Sequence, residues 1–189
     1  MKHLKKAGMV AAVFCLVGIL GGTAKAEREH TKDMTALASA KTSLIQAIGT
    51  VEQQNGGQAV KAEYRERNHT PIYVISTLSN GKGEKTLVDP MSGKIIGTDQ
   101  KGFLSRMFDD EASECAGITT SKLSLKAAVT MAEQQSGGKT IEADFKDKHG
   151  KPRFEIELAK DGAAQEIVLD GTSGQVVKTK AHNEEHDDD

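Results

Sequence analysis

An α+β fold of two repeats, each one helix packed on a small antiparallel sheet of three to four strands, is predicted by three features of this 189-residue sequence. One pattern of residues occurs twice at a constant offset. In each copy a helical apolar spacing gives way to a period of two, and Gly-containing pairs punctuate both copies at the same places. Ser43-Leu44, Ala47, Glu52-Gln53-Gln54, Gly56-Gly57, Ala62, Pro71, Ile75, Gly81, Asp89 and Ser92-Gly93 recur 81 positions later as Ser124-Leu125, Ala128, Glu133-Gln134-Gln135, Gly137-Gly138, Ala143, Pro152, Ile156, Gly162, Asp170 and Ser173-Gly174. The shared positions are helix enders, turn residues and apolar side chains rather than nucleophiles or metal ligands, which favours a folded binding module over an enzyme.

The elements follow in order. Residues 1–26 are read as a signal peptide: Lys2, Lys5 and Lys6 make a basic start, Ala7 to Gly22 is an apolar run, and Ala24-Lys25-Ala26 is a small-x-small cleavage pattern. An uncleaved anchor is the alternative, but the run falls short of the ~18 apolar residues of a spanning helix. Lipidation at Cys15 does not fit, since Ala12-Val13-Phe14 precedes it. Cleavage removes four of the 25 basic residues and no acid, leaving 21 against 27 acidic residues and a net charge of −6. That balance, without a basic cluster interleaved with aromatics, excludes nucleic acid as an expected partner. No second long apolar stretch exists, so no membrane span is expected after cleavage. Cys115 is then the only cysteine, so no internal disulfide supports the fold. With no His near it in sequence, it is read as a buried or fortuitous thiol.

Residues 27–40 read as a loose polar leader. Repeat 1 spans 41–98. Leu44, Ile48 and Val51 set one apolar stripe on a helix, and Leu125, Val129 and Ala132 do the same in repeat 2, residues 122–179. Ser43 and Ser124 are the expected N-caps, and the Gly-Gly pairs end both helices. Val60, Ala62 and Tyr64 alternate with Lys61, Glu63 and Arg65, as Ile141, Ala143 and Phe145 alternate with Glu142, Asp144 and Lys146, which describes strands with one wet face. Tyr73, Ile75 and Thr77, matched by Phe154, Ile156 and Leu158, form the next strand. Asn80-Gly81 and Asp161-Gly162 are hairpin signals. Leu87-Val88 and Ile167-Val168-Leu169 make third strands, and the Asp-x-x-Ser-Gly turns at 89–93 and 170–174 lead into short last strands. Between the repeats, the linker 99–121 carries Phe103, Leu104, Met107 and Phe108 at the spacing of a short amphipathic helix, and it is the expected mediator between the two units. Residues 180–189 are an acidic, His-containing tail.

A helix closed by Gly-Gly, an alternating strand, an aromatic strand after a Pro-containing turn, and an apolar strand running into Asp89-Pro90-Met91-Ser92-Gly93-Lys94 resemble the PepSY domain family. The resemblance covers about residues 41–98 and 122–179. It implies an α+β module without catalysis of its own, linked in propeptides to inhibiting and chaperoning an attached peptidase. This chain has no attached peptidase and no His-Glu-x-x-His sequence, so an enzyme that it restrains must act in trans.

The resulting expectation is a periplasmic or secreted, non-enzymatic protein that binds another envelope protein, such as a peptidase, with no cofactor. The candidate contact residues are Tyr64, Tyr73, Phe103, Phe108, Phe145 and Phe154. The rival reading is divalent metal binding by the tail, where His182 and His186 stand four apart ahead of three aspartates; a solvated acidic tail competes with it. Hydrolase chemistry fits poorly. Ser92 and Ser173 precede glycines in tight turns but lack the Gly-x-Ser-x-Gly setting of a nucleophile elbow. Glu52 and Glu133 recur at one helix position, which argues for a structural role, and the Gly-Gly pairs end helices instead of opening them, unlike phosphate loops.

Overall fold

The computed structural model describes residues 37–98, 115–147 and 149–182. The signal peptide, residues 27–36 of the leader, the linker residues Phe103, Leu104, Met107 and Phe108, and His186 of the tail lie outside them. Helix α1 (Leu44–Asn55) opens on a capping box: the Gln46 N–H donates to Ser43 Oγ at 3.2 Å and the Ser43 N–H to Gln46 Oε1 at 2.9 Å. It closes at Gly56, whose φ of 69° puts it in the left-handed region, with its N–H donating to Glu52 O. Helix α2 (Leu125–Ser136) opens at Ser124, whose Oγ accepts from the Ala127 N–H without the reciprocal bond, and closes at Gly137. Each helix turns its Leu, Ala and Val positions onto the sheet.

After α1 come β1 (Gln58–Arg67), β2 (Thr70–Ser79), β3 (Lys82–Val88) and β4 (Ile95–Thr98); after a 3₁₀ turn (Ala116–Thr120) and α2 come β5 (Lys139–Asp147), β6 (Pro152–Lys160), β7 (Ala163–Asp170) and β8 (Val176–His182). The hairpins are tight because two successive residues take positive φ: Asn68-His69, Asn80-Gly81, His149-Gly150 and Asp161-Gly162. His69 and His149 are thus turn residues.

Two separate small sheets do not form. All eight strands make one antiparallel sheet in the order β4-β3-β2-β1-β5-β6-β7-β8. The first strands of the two copies pair directly, with Lys61 opposite Asp144, Ala62 opposite Ala143 and Glu63 opposite Glu142. Backbone joins the two copies: a four-stranded unit leaves the edge of its first strand unpaired, and the two edges satisfy each other, while the described end of the linker, with Cys115 and Ile118 in the core, packs against β1 and β5. Both helices lie on one face and touch each other, burying a single core that includes Ile48, Val51, Ile75, Leu125, Val129, Ile156, Leu158 and Leu169.

Two details depart from the sequence reading. A bulge between Ala59 and Lys61 turns both Ala59 and Val60 inward, and a second at Thr140 and Glu142 does the same for Thr140 and Ile141. The leader's end is also not loose, since Leu37 is buried within the core cluster. Among the described residues no helix is long and apolar enough to cross a membrane.

Candidate functional site

The four strand aromatics expected to make contacts are interior. Tyr64, Tyr73, Phe145 and Phe154 are at most 3% exposed and stack as two edge-to-face pairs, Tyr64 on Tyr73 at 5.7 Å and Phe145 on Phe154 at 5.2 Å between ring centroids. They are core residues, not a contact surface; alternation places them on the helix side, and the helices cover that side. The backbone of His182 ends β8, paired opposite Ala164. Among the described residues no group of three or more His, Cys, Asp or Glu is placed to hold a metal ion. Cys115 is buried, with its Sγ 3.9 Å from Phe145 O.

The repeated serines build turns. Ser92 Oγ donates to Asp89 Oδ2 at 2.6 Å, and Ser173 Oγ to Asp170 Oδ1 at 2.9 Å. The Ser92 hydroxyl and then the Met91 N–H hold the Asp89 carboxyl below its usual range; for Asp170 the Ser173 N–H leads, followed by the Ser173 hydroxyl. The helix glutamates are structural as well: Glu52 Oε1 accepts from the Ala59 N–H and Glu133 Oε1 from the Thr140 N–H, both at 3.0 Å.

What the sheet leaves for a partner is its other face. Strand pairing sets Glu63, Glu142, Glu157 and Glu166 opposite one another in a single row across β1, β5, β6 and β7. Like charges directly opposed across strands are destabilising, so the cations beside this row matter to the isolated protein. Asp144 and Glu155, themselves a cross-strand pair, flank it. Glu142, Asp144, Glu155, Glu157 and Glu166 border a shallow groove of about 210 Å³ floored by Ile156.

Cations answer part of this charge. Lys61 reaches across the seam to Glu142 and, at 3.3 Å, to Asp144. Burial opposes its ammonium, but the Asp144 charge and the Glu142 hydrogen bond outweigh that, so its pKa lies above the usual lysine range. Lys146 pairs with Asp144 at 3.1 Å, Lys178 with Glu166 at 3.0 Å, and Arg65 with Glu63 at 2.7 Å. In the first repeat the positions matching Glu155, Glu157 and Glu166 are Val74, Ser76 and Lys85, so apart from Glu63 the acidic row belongs to the second half. Sequence alternation marks these positions as outward, yet only strand order reveals that four glutamates share a row.

Two stretches of the chain match one known family. A family model described as "Peptidase propeptide and YPEB domain", PepSY, matches residues 43–99 and 122–180. Among solved structures, the chain resembles a protein of Clostridium difficile 630 described as a lipoprotein, at 14% identity and a TM-score of 0.47, over 76% of this chain and 95% of that one. It also resembles the Bacillus megaterium YpeB C-terminal domain, at 15% identity and a TM-score of 0.30, over 72% of this chain and 62% of that one. No curated protein sequence matches the chain.

Proposed function

The chain belongs to the peptidase propeptide and YPEB domain family, PepSY, and on that premise we propose that it is an exported, non-catalytic module that binds another envelope protein through the acidic, helix-free face of its second repeat. The observation that carries this reading is the row Glu63, Glu142, Glu157, Glu166: aligned carboxylates across the strands are complementary in charge to a basic segment laid over them. The partner is then cationic where it touches this face, and a peptidase restrained in trans is one such partner. Export rests on the basic, apolar and small-x-small order of residues 1–26, and mass spectrometry of the secreted or periplasmic form should find Glu27 at its N-terminus.

The test uses the immobilised mature chain with an envelope extract. Capture of a basic protein that weakens with added salt, and fails for the Glu142→Gln, Glu157→Gln, Glu166→Gln variant, supports the proposal. The same variant should remain folded, as a cooperative melt would show. Capture that is indifferent to both salt and the three substitutions rules the acidic face out as the contact.

A further inference from the structure

One strand of the first repeat is buried on both of its faces. Burial runs unbroken from Ile72 to Leu78 along β2, whereas in the equivalent β6 only Phe154, Ile156 and Leu158 are buried and the residues between them are at least partly exposed. A strand is buried throughout where both faces of its sheet are covered. The helices cover one face, where Tyr73 and Ile75 join the core. Ile72, Val74 and Ser76 point to the other face, and they are 6%, 5% and 2% exposed.

The neighbouring strands agree. Val74 stands opposite Glu63 on β1 and Leu87 on β3, and Ser76 opposite Lys61 and Lys85, so these side chains share the outer face. A lysine on an open sheet face lays its stem on the surface and keeps its ammonium in water. Lys85 is only 8% exposed, so it lies beneath something. Among the described residues no helix or strand lies over this face: both helices and the 3₁₀ turn belong to the side of the shared core.

The second repeat supplies an internal control. Shifted by 81 positions, Ile72, Val74, Ser76 and Lys85 become Arg153, Glu155, Glu157 and Glu166, and none of these four is buried. The same sheet face is covered in one half and open in the other.

Reach and chemistry single out one part of the chain as the cover. The leader enters on the helix side, where Leu37 is part of the core, and the tail follows β8, five strands from β2. Residues 99–114 follow β4, which is two strands from β2, or roughly 10 Å at the usual strand spacing. They carry Phe103, Leu104, Met107 and Phe108 at the spacing of one helical face, then Asp109, Asp110 and Glu111. The first group suits Ile72, Val74 and Leu87, and the carboxylates have the sign that a covered Lys85 takes. We propose that linker residues 103–111 dock on the helix-free face of the first repeat, which leaves only the acidic half of that face open to a partner. The docking stands whether or not the acidic half binds one.

The experiment uses the mature chain, residues 27–189. Nuclear Overhauser effects should join the rings of Phe103 and Phe108 to the methyl groups of Ile72, Val74 and Leu87, and chymotrypsin should cut slowly after these two phenylalanines. The variant Ile72→Arg, Val74→Glu installs the residues that the second repeat carries at these positions, and a cooperative melt checks that it folds. It should lose the ring contacts and be cut at least about tenfold faster than the parent, because cleavage follows the undocked population. Should the variant unfold, the contacts in the parent decide the matter by themselves. Methyl groups without contacts to the linker rings, or equal cutting of parent and folded variant, overturn the proposal. Contacts that trace instead to residues 27–36, or that join differently labelled copies, overturn it in favour of the leader or of a second copy.

Discussion

Ala62 and Ala143 lie directly opposite each other across the β1–β5 seam, and they are the same position in the two repeats. An approximate twofold axis therefore runs between them. Around it Lys61 is equivalent to Glu142, and Glu63 to Asp144. Two copies of the second repeat would set four carboxylates together at this axis; Lys61, where the second repeat has Glu142, is the departure that makes the seam attractive.

Lys61→Glu should destabilise the protein by about 1.5 to 3 kcal/mol, the worth of hydrogen bonds to charged groups, because Glu63, Glu142 and Asp144 then stand together without their shared cation. Adding Glu142→Lys should restore most of that loss, since the axis carries the new lysine to the mirror arrangement, where it faces carboxylates at positions 61 and 63 of the other strand. Urea denaturation of both variants checks this, and a double variant no more stable than the single would show that the seam does not depend on this charge pairing.

Gly93→Val and Gly174→Val should each cost on the order of 1 to 3 kcal/mol. The glycines have φ of 70° and 73°, and a Cβ would also stand 3.0 Å from Thr42 Oγ1 and from Met131 Cε respectively. Ser92→Ala and Ser173→Ala remove one hydroxyl from each turn and should cost about 0.5 to 1.5 kcal/mol. Melting temperatures should rank the glycine variants lowest. A serine change that abolished a hydrolytic activity in a folded protein would overturn the non-catalytic reading.

Acid should weaken both Asp-x-x-Ser-Gly turns. Asp89 and Asp170 have folded pKa values below the ordinary 3.8, so their contribution is complete above that value and is lost as pH falls through the lower, folded one. The turn variant Asp89→Asn, Asp170→Asn should show a smaller fall in stability between neutral pH and the acid limb than the parent, as read from denaturation at a series of pH values.

Tyr73→Phe should cost about 0.5 to 1.5 kcal/mol. It removes the bond to Thr42 O and leaves the ring packed on Tyr64, as Phe154 packs on Phe145. Phe154→Ala should cost about 3 to 5 kcal/mol by emptying a fully buried ring site. Thermal denaturation distinguishes the two.

Much of this fold is legible in the residues themselves. Ser43, Gly56 and the Leu44, Ile48, Val51 stripe announce α1, and Asn80-Gly81 and Asp161-Gly162 announce hairpins, because caps and positive φ are local demands met by local chemistry. The seam is not legible, since pairing of β1 with β5 joins residues about 80 positions apart and leaves no local mark. The same blindness hides the glutamate row, which exists only once four strands are ordered. The strand aromatics mislead for another reason: alternation gives two faces to a strand but does not say which one the helices will cover, and Tyr64, Tyr73, Phe145 and Phe154 are on the covered one. The bulges at Ala59 and Thr140 shift the inward set by one residue without any Gly or Pro to signal it.

The seam has a numerical consequence. Because each unit offers the same strand edge to the other, the association is self-complementary and closes at two: once β1 and β5 are joined, neither has an edge left for a third. A unit extended in this way cannot grow into an array, as a head-to-tail solenoid can. Holding both units in one polypeptide also lifts the restriction that symmetry places on a pair of separate copies. Positions that meet across the axis are free to differ, and the helix-free face is free to be acidic in one half and apolar in the other.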